Sequence, residues 1–147
     1  MDYREEIHHP ALPLPEIARG VLWVTTNGHL LRDQHFPKRE ISEIGGGFIS
    51  VRATPEGPAN LLPIPAEVRP MLDAIRFLVA GDVRAIADEF VLDLLTGGPG
   101  WRVRLVPKDP EAPEMQIALI GCGAVLQAIE IEQARGVRRI ITFEHQP

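Results

Sequence analysis

Four histidines in the first quarter of the chain, His8, His9, His29 and His35, together with Asp33, are the candidates for metal binding or acid–base chemistry. If residues 30–36 form a strand, Asp33 and His35 fall on one face at spacing i, i+2 and could supply two ligands to a metal. A zinc site needs a third protein ligand and a supporting shell, and no residue at a suitable spacing names itself as either. Polar groups on the wet face of a strand are the plainer reading. Gly45-Gly46-Gly47 would cradle a phosphate only if it opened a helix, but "FISV" follows, so it reads as a hairpin turn. Asp88 with Glu89, and Glu130 with Glu132, could be drawn as carboxylate pairs, although solvated charge accounts for them more simply. Neither serine, Ser42 or Ser50, has the Gly-x-Ser-x-Gly surroundings of a nucleophile elbow. Cys122 lies between two glycines with no base beside it in sequence. These residues give no catalytic constellation, and the expectation is a protein that is not an enzyme and uses no cofactor or metal.

The composition narrows the partners. With 147 residues the chain has the size of one domain, taken as residues 1–147, and no linker divides it. Apolar residues at 45% and charged residues at 24% suit a folded core rather than disorder. A net charge of −5 without a cationic block argues against nucleic acid and gives little attraction to an anionic membrane surface. The single cysteine rules out an intrachain disulfide. No apolar run is long enough for a membrane-spanning helix. "MDYREEIHHP" is too charged for a secretory signal, so the chain is either cytoplasmic or begins after a signal has been removed.

The elements that would position any site are short. Fourteen prolines and thirteen glycines cut the sequence into pieces of strand length. Residues 2–8 read as a first strand, the Pro-rich residues 10–16 as a loop or edge, and residues 20–25 as a strand that turns at Asn27-Gly28 into residues 30–36. Two more strands flank the three glycines, and "ANLLPI" gives another that ends at Pro63. The period then becomes helical: Val68, Leu72, Ile75 and Val79 share one face, Pro70 suits the first turn, and Gly81 stops a helix before Asp82 caps a second one running to about Glu89. Strands resume with "FVLDLLT", "WRVRLVP", "MQIALIGC", "VLQAIEIEQ" and "RRIITFEH", the last three forming an antiparallel meander. In "WRVRLVP", Trp101, Val103 and Leu105 alternate with Arg102 and Arg104, giving one dry and one wet face.

About ten strands around one helical hairpin exclude a doubly wound α/β fold, in which strand and helix alternate. The expected class is α+β: a strongly curved antiparallel sheet, a barrel or half-barrel, with the helical hairpin on its concave side. On that scaffold "VLWV" can be apolar on both faces, its inner face meeting the helices or a cavity.

In order along nearly the whole chain, "GVLWVTTNGHLLRD", the two Gly-turned strands, the helical pair ending in "FLVAGD", "WRVRLVPKD" and "AIEIEQARGVRRIITF" resemble the periplasmic lipoprotein carriers of the LolA/LolB type, in particular the shorter LolA-related members. The resemblance implies an incomplete β-barrel, a helical lid, a hydrophobic cavity for acyl chains and a periplasmic location. It also implies delivery partners at the inner and outer membranes. The basic residue that these carriers place before a proline after the "LWV"-type strand falls here on Thr26-Asn27. Arg32 lies a few residues on and becomes the polar contact candidate.

The candidate cavity wall is Leu22, Val24, Leu30, Val51, Leu72, Ile75, Val79, Trp101, Val103, Leu105, Ile129 and Ile131. Periodicity alone leaves open whether each lines a cavity or fills a core. The expected function is a non-enzymatic carrier of a lipid or a lipid-modified protein, with Gly81 as hinge or as plain helix cap. The cargo could be a lipidated protein, a free fatty acid or phospholipid, or a membrane-pigment precursor. The alternative is a protein-interaction or sensor module on the same scaffold with its cavity filled.

Overall fold

In the computed structural model, which describes residues 1–66, 68–96 and 98–144, the chain begins in the middle of a sheet and works outward. Strand β1 (Asp2–His8) is followed by β2 (Glu16–Val24), β3 (Leu30–Phe36), β4 (Glu40–Gly45), β5 (Phe48–Arg52) and β6 (Asn60–Pro63), each antiparallel to the one before. Two helices, α1 (Arg69–Ala80) and α2 (Val83–Glu89), then carry the chain to the opposite edge. From there β7 (Phe90–Thr96), β8 (Gly100–Pro107), β9 (Met115–Cys122), β10 (Val125–Gln133) and β11 (Arg138–Glu144) return, until β11 pairs with β1. The product is one antiparallel sheet of 11 strands in the order β6-β5-β4-β3-β2-β1-β11-β10-β9-β8-β7. Among the described residues β6 and β7 pair on one side only, so the sheet does not close.

Local sequence accounts for most of these turns. Gly46 and Gly47 both have positive φ, 62° and 83°, and make the two-residue β4–β5 turn, which residues with a Cβ would strain to adopt. The Asn27-Gly28 turn is one step longer than the tightest hairpin: the Gly28 N–H donates to the Thr25 carbonyl at 2.9 Å and the Thr25 N–H to the His29 carbonyl at 2.8 Å. Strand β2 starts at Glu16, four residues before the apolar run that announces it in sequence. Its polar first half is held by β1, in a register running from Asp2 opposite Val21 to Ile7 opposite Glu16. Helix α1 has proline in its first turn and ends on Gly81, with the Asp82 N–H returning to the Phe77 carbonyl at 2.8 Å and the Gly81 N–H to Leu78 at 3.1 Å. The Asp82 carboxylate accepts from the Ala85 N–H at 3.1 Å and starts α2.

The buried stripe of α1 refines the sequence reading. It is Met71, Ala74 and Ile75, with Leu72, Leu78 and Val79 half-buried at its flanks and Val68 packed at the N-terminal end. Large aliphatic residues suggested a stripe through Leu72 and Val79, whereas close approach to β2 and β3 selects the small Ala74, only 1% exposed.

One apolar cluster joins residues of β1–β4, both helices and β7–β11. A flat sheet of 11 strands would be roughly 48 Å wide at about 4.8 Å per strand. A 12-residue helix is about 18 Å long, and a continuous cluster that includes both helices and strands from both halves of the sheet is consistent with a sheet curved around the helices. Leu105, Ile117, Ile129 and Ile131 are fully buried, each contributing about 1.5–3 kcal/mol, and form the densest part of the core.

Asp73 on α1 and Glu89 at the end of α2 lie together, and burial pushes both carboxyls above their ordinary values of 3.8 and 4.5. The charge of Asp73 further raises Glu89, while Arg76 and Arg69 oppose the rise at both groups. The folded chain therefore holds these protons more tightly than the unfolded chain. Stability is lost as pH rises from the ordinary carboxylate range through the folded pKa values, and is regained on acidification from neutrality. Asp73→Asn should flatten this dependence, giving a smaller loss of urea-midpoint stability than the wild type shows as pH rises from the ordinary carboxylate range to neutrality.

Gly20 permits the close β2–β3 approach at a register shift, since a Cβ there would strike the Asp33 carbonyl oxygen and come within 2.8 Å of the Gln34 Cα. Gly20→Ala should cost about 1–3 kcal/mol in urea denaturation. Gly100→Ala, where nothing lies within 4 Å of the added carbon, should stay within about 0.5 kcal/mol of wild type.

Candidate ligand cavity

The strand registers arrange the inner face in transverse rows. Val24, Leu30, Ile44, Ile49 and Leu62 form a wholly apolar row across β2–β6. The adjacent row, Leu22, Arg32, Ser42 and Val51, is mixed, and beyond it Tyr3, Gly20, Gln34 and Glu40 follow one another across β1–β4. Glu5 comes next on β1, between Ala18 on β2 and Ile141 on β11, and Ile7 beyond it faces Arg139. The inner face is thus apolar at one end of β2–β6 and crossed by a diagonal polar belt toward β1 and β11.

Helix α1 lies over this part of the sheet and leaves a cavity of about 280 Å³. Its apolar wall comes from Leu22, Leu30, Ile44, Ile49, Val51 and Leu62 of the sheet, Met71, Leu72 and Ile75 of α1, and Ile141. Its polar end is Tyr3, Glu5, Arg32, Glu40, Ser42 and Arg139. A wider, more open groove of about 570 Å³ continues past Glu5, Arg32 and Arg139 toward Ala18, Gln34 and Phe36. The three charged residues are common to both spaces and separate them.

Glu5 is 7% exposed and organises the belt. Its Oε1 accepts from Arg32 Nη2 at 3.1 Å and its Oε2 from Arg139 Nη1 at 3.4 Å. Arg32 Nη2 also donates to Gln34 Oε1 at 3.0 Å, and the Gln34 amide donates to the Lys38 carbonyl at 3.1 Å. The Arg32 guanidinium stands 5.3 Å from the centroid of the Tyr3 ring, within cation–π range. Tyr3 Oη is buried and ends without a well-formed hydrogen bond. Burial raises the Tyr3 pKa, and the nearby Arg32 only partly offsets that rise, so the hydroxyl stays protonated at neutral pH.

Of the residues singled out in sequence, Leu22, Leu30, Val51, Leu72, Ile75 and Arg32 meet at this cavity. Val24 and Val79 are half-buried beside the core but outside the lining. Trp101, Val103, Leu105, Ile129 and Ile131 belong to the other half of the sheet: the last three are solid core, Val103 packs against it, and Trp101 lies over Gly121 with its indole N–H donating to the Gly123 carbonyl at 2.8 Å. Tyr3, Glu5 and Arg139 were missed. The strand alternation of "DYREEIH" places Glu5 on the side of Tyr3 and Ile7, and an acidic residue in that phase was the available signal.

The histidines disperse. His29 meets Glu43 at 3.2 Å, His8 meets Glu6 at 3.2 Å and His9 meets Glu16 at 3.8 Å. Asp33 and His35 do share the outer face, 3.4 Å apart, but Asp33 is gripped by Arg39 at 2.7 and 2.9 Å. Burial works to raise the Asp33 pKa, and Arg39 and His35 together bring it below the ordinary value. Among the described residues no group of three His, Cys, Asp or Glu side chains could hold a metal ion. Glu130 is bound by Arg102 at 3.0 Å and Arg138 at 3.6 Å. Among those residues, too, no helix is long and apolar enough to cross a membrane.

No family model matches the chain, and no curated protein matches it at a significant level.

Removing Glu5 would leave two half-buried guanidinium groups facing each other without their shared anion. Glu5→Leu should destabilise the fold by about 3 kcal/mol in chemical denaturation at pH 7, with Glu5→Gln costing clearly less because its amide oxygen can still accept.

Proposed function

We propose that this protein is a non-enzymatic, LolA-like binder and carrier of an acyl-bearing molecule, working in the periplasm between delivery partners at the inner and outer membranes. The observation that carries this reading is the apolar cavity between α1 and the sheet. A packed core buries its aliphatic side chains against one another, as β8–β10 do. Here α1 packs closely on β2 and β3 at Ala74 but leaves a cavity beside that contact, whose lining includes Ile44, Ile49, Val51 and Leu62. Each unfilled methylene-sized gap forgoes stabilisation, which a bound chain would restore by removing the same apolar surface from water.

The connectivity supports the resemblance to the lipoprotein carriers. An open antiparallel sheet whose two edges are joined by a helical hairpin fits the incomplete barrel with a helical lid that the resemblance implies. In the mechanism we infer, α1 swings on the Gly81–Asp82 junction while the sheet stays fixed. Affinity follows the apolar area covered, and release follows displacement of α1. The volume bears on the cargo. Ligand sites commonly span about 300–1,000 Å³, and a cavity just below that range suits one aliphatic chain better than the several chains of a lipoprotein anchor.

A second reading, an interaction module, draws on the apolar sheet edges. On β7 Leu92 and Leu94 are 45% and 65% exposed, and Leu61 on β6 is 68% exposed. The two readings separate on whether the cavity takes up a ligand.

The protein purified from bacterial cells should carry a stoichiometric acyl-bearing molecule in native mass spectrometry. Stripped protein should bind methyl laurate, with saturation at about 100 times Kd raising stability by about 2.7 kcal/mol, or roughly 5–10 °C in Tm. Val51→Phe, which fills the cavity, should abolish the shift while keeping the fold. A bare mass together with no shift overturns the carrier reading.

A further inference from the structure

The polar end of the cavity has more hydrogen-bond donors than the protein gives acceptors. Tyr3 Oη is a buried hydroxyl in the cavity wall, on a residue 4% exposed, and has no acceptor for its proton among the described residues, since its polar neighbour Arg32 can only donate. A guanidinium offers five N–H groups. Among the described residues Arg32 engages acceptors through Nη2 alone, on Glu5 and Gln34. Arg139 uses Nη1 on Glu5 and Nε on Gln133. Two cations thus share one deeply buried carboxylate, next to a hydroxyl with nothing to donate to.

We infer that the cavity is a site for one medium-chain fatty acid, its carboxylate received by Tyr3 and Arg32 and its chain lying beneath α1 against Leu30, Ile44 and Ile49. This rests on the binder reading above and deepens it by naming the ligand's head. A two-oxygen monoanion matches what is left unpaired: one oxygen for the Tyr3 hydroxyl and one for the free edge of the Arg32 guanidinium. Glu40 lines the same space and repels an anion, which sets a limit on the head's charge and disfavours a phosphate dianion. The open groove past Glu5 and Arg139 gives the head a way out to solvent while the tail stays covered.

The test compares laurate with methyl laurate by displacement of the neutral fluorescent probe N-phenyl-1-naphthylamine from wild type and Tyr3→Phe. Wild type should bind laurate at least about tenfold more tightly than the ester, the effect of one charge-assisted hydrogen bond. Tyr3→Phe should lose most of that preference, while the unliganded Tm holds or rises because a buried hydroxyl without an acceptor has been removed. A purely structural Tyr3 would leave the laurate-to-ester ratio unmoved. Glu40→Gln should tighten laurate and leave the ester alone. Equal affinity for acid and ester in wild type, or a ratio unchanged in Tyr3→Phe, overturns the fatty-acid inference and leaves an apolar binder. Failure of the probe, the acid and the ester alike to bind overturns the binder reading with it.

Discussion

The pairing of β1 with β11 is the constraint on which the rest of this structure depends. It joins the first strand to the last over seven residue pairs, from Asp2 opposite Glu144 to His8 opposite Arg138. Without it the chain would be two separate meanders, one of six strands and one of five, and neither has enough inner surface to enclose anything. Because loop-closure entropy grows only logarithmically with length, bringing the two ends together costs little more than closing a shorter loop. The contacts are non-local, however, and topology of that kind makes folding slow. Glu5 sits in this seam with Ala18 on one side and Ile141 on the other, and its carboxylate reaches Arg32 on β3 and Arg139 on β11. One buried anion therefore ties both meanders together and sets the boundary of the cavity.

The two halves of the inner face divide the work. On β8–β10, Leu105, Ile117, Ile129 and Ile131 are wholly buried and interlock as an ordinary core. On β2–β4 Leu22, Leu30 and Ile44 are buried too, but they also line the cavity beneath α1. Stability concentrated in the first half lets the second remain hollow, since a domain is stable by a small difference between large terms and tolerates only so much missing contact. The belt of Glu5, Arg32 and Arg139 adds little stability for its desolvation cost, as buried ion pairs often do. Its value lies in direction: it makes one end of an apolar cavity different from the other.

Much of this was legible in the sequence where one local signal decides one local outcome. The turn at Gly46-Gly47, the cap at Gly81, the Asp82 N-cap and the dry face of "WRVRLVP" follow from residue type and period alone. The class followed too, because strands interrupted by a single helical hairpin leave few packings. What could not be read was anything set by register. Ile129 and Leu22 look alike in sequence, as apolar residues on the inner face of a strand, and only the position of α1 makes one a core residue and the other a cavity wall. Arg139 was missed for the same reason, because β11 reaches β1 only through the β1–β11 seam, whereas Glu5 on β1 had its signal in the strand alternation. The face of α1 read from spacing, Val68, Leu72, Ile75 and Val79, does pack inward, but its most buried residues beside Ile75 are Met71 and Ala74.

The helical hairpin also explains why the sheet stays open. It is the covalent link between β6 and β7, the two strands that would have to meet for a barrel to close. Packed on the inner face, with α1 against β2 and β3 and α2 against β7, it occupies the space a closed barrel would need. The edges that result are apolar and unpaired among the described residues, a hazard most sheets suppress. A fold accepts such edges when closing them would abolish the interior. Here the two helices are the connection between the open edges, and α1 packs on β2 and β3 inside the sheet. A movement of α1 can therefore change the volume of the cavity without breaking any pair in the 11-stranded ladder.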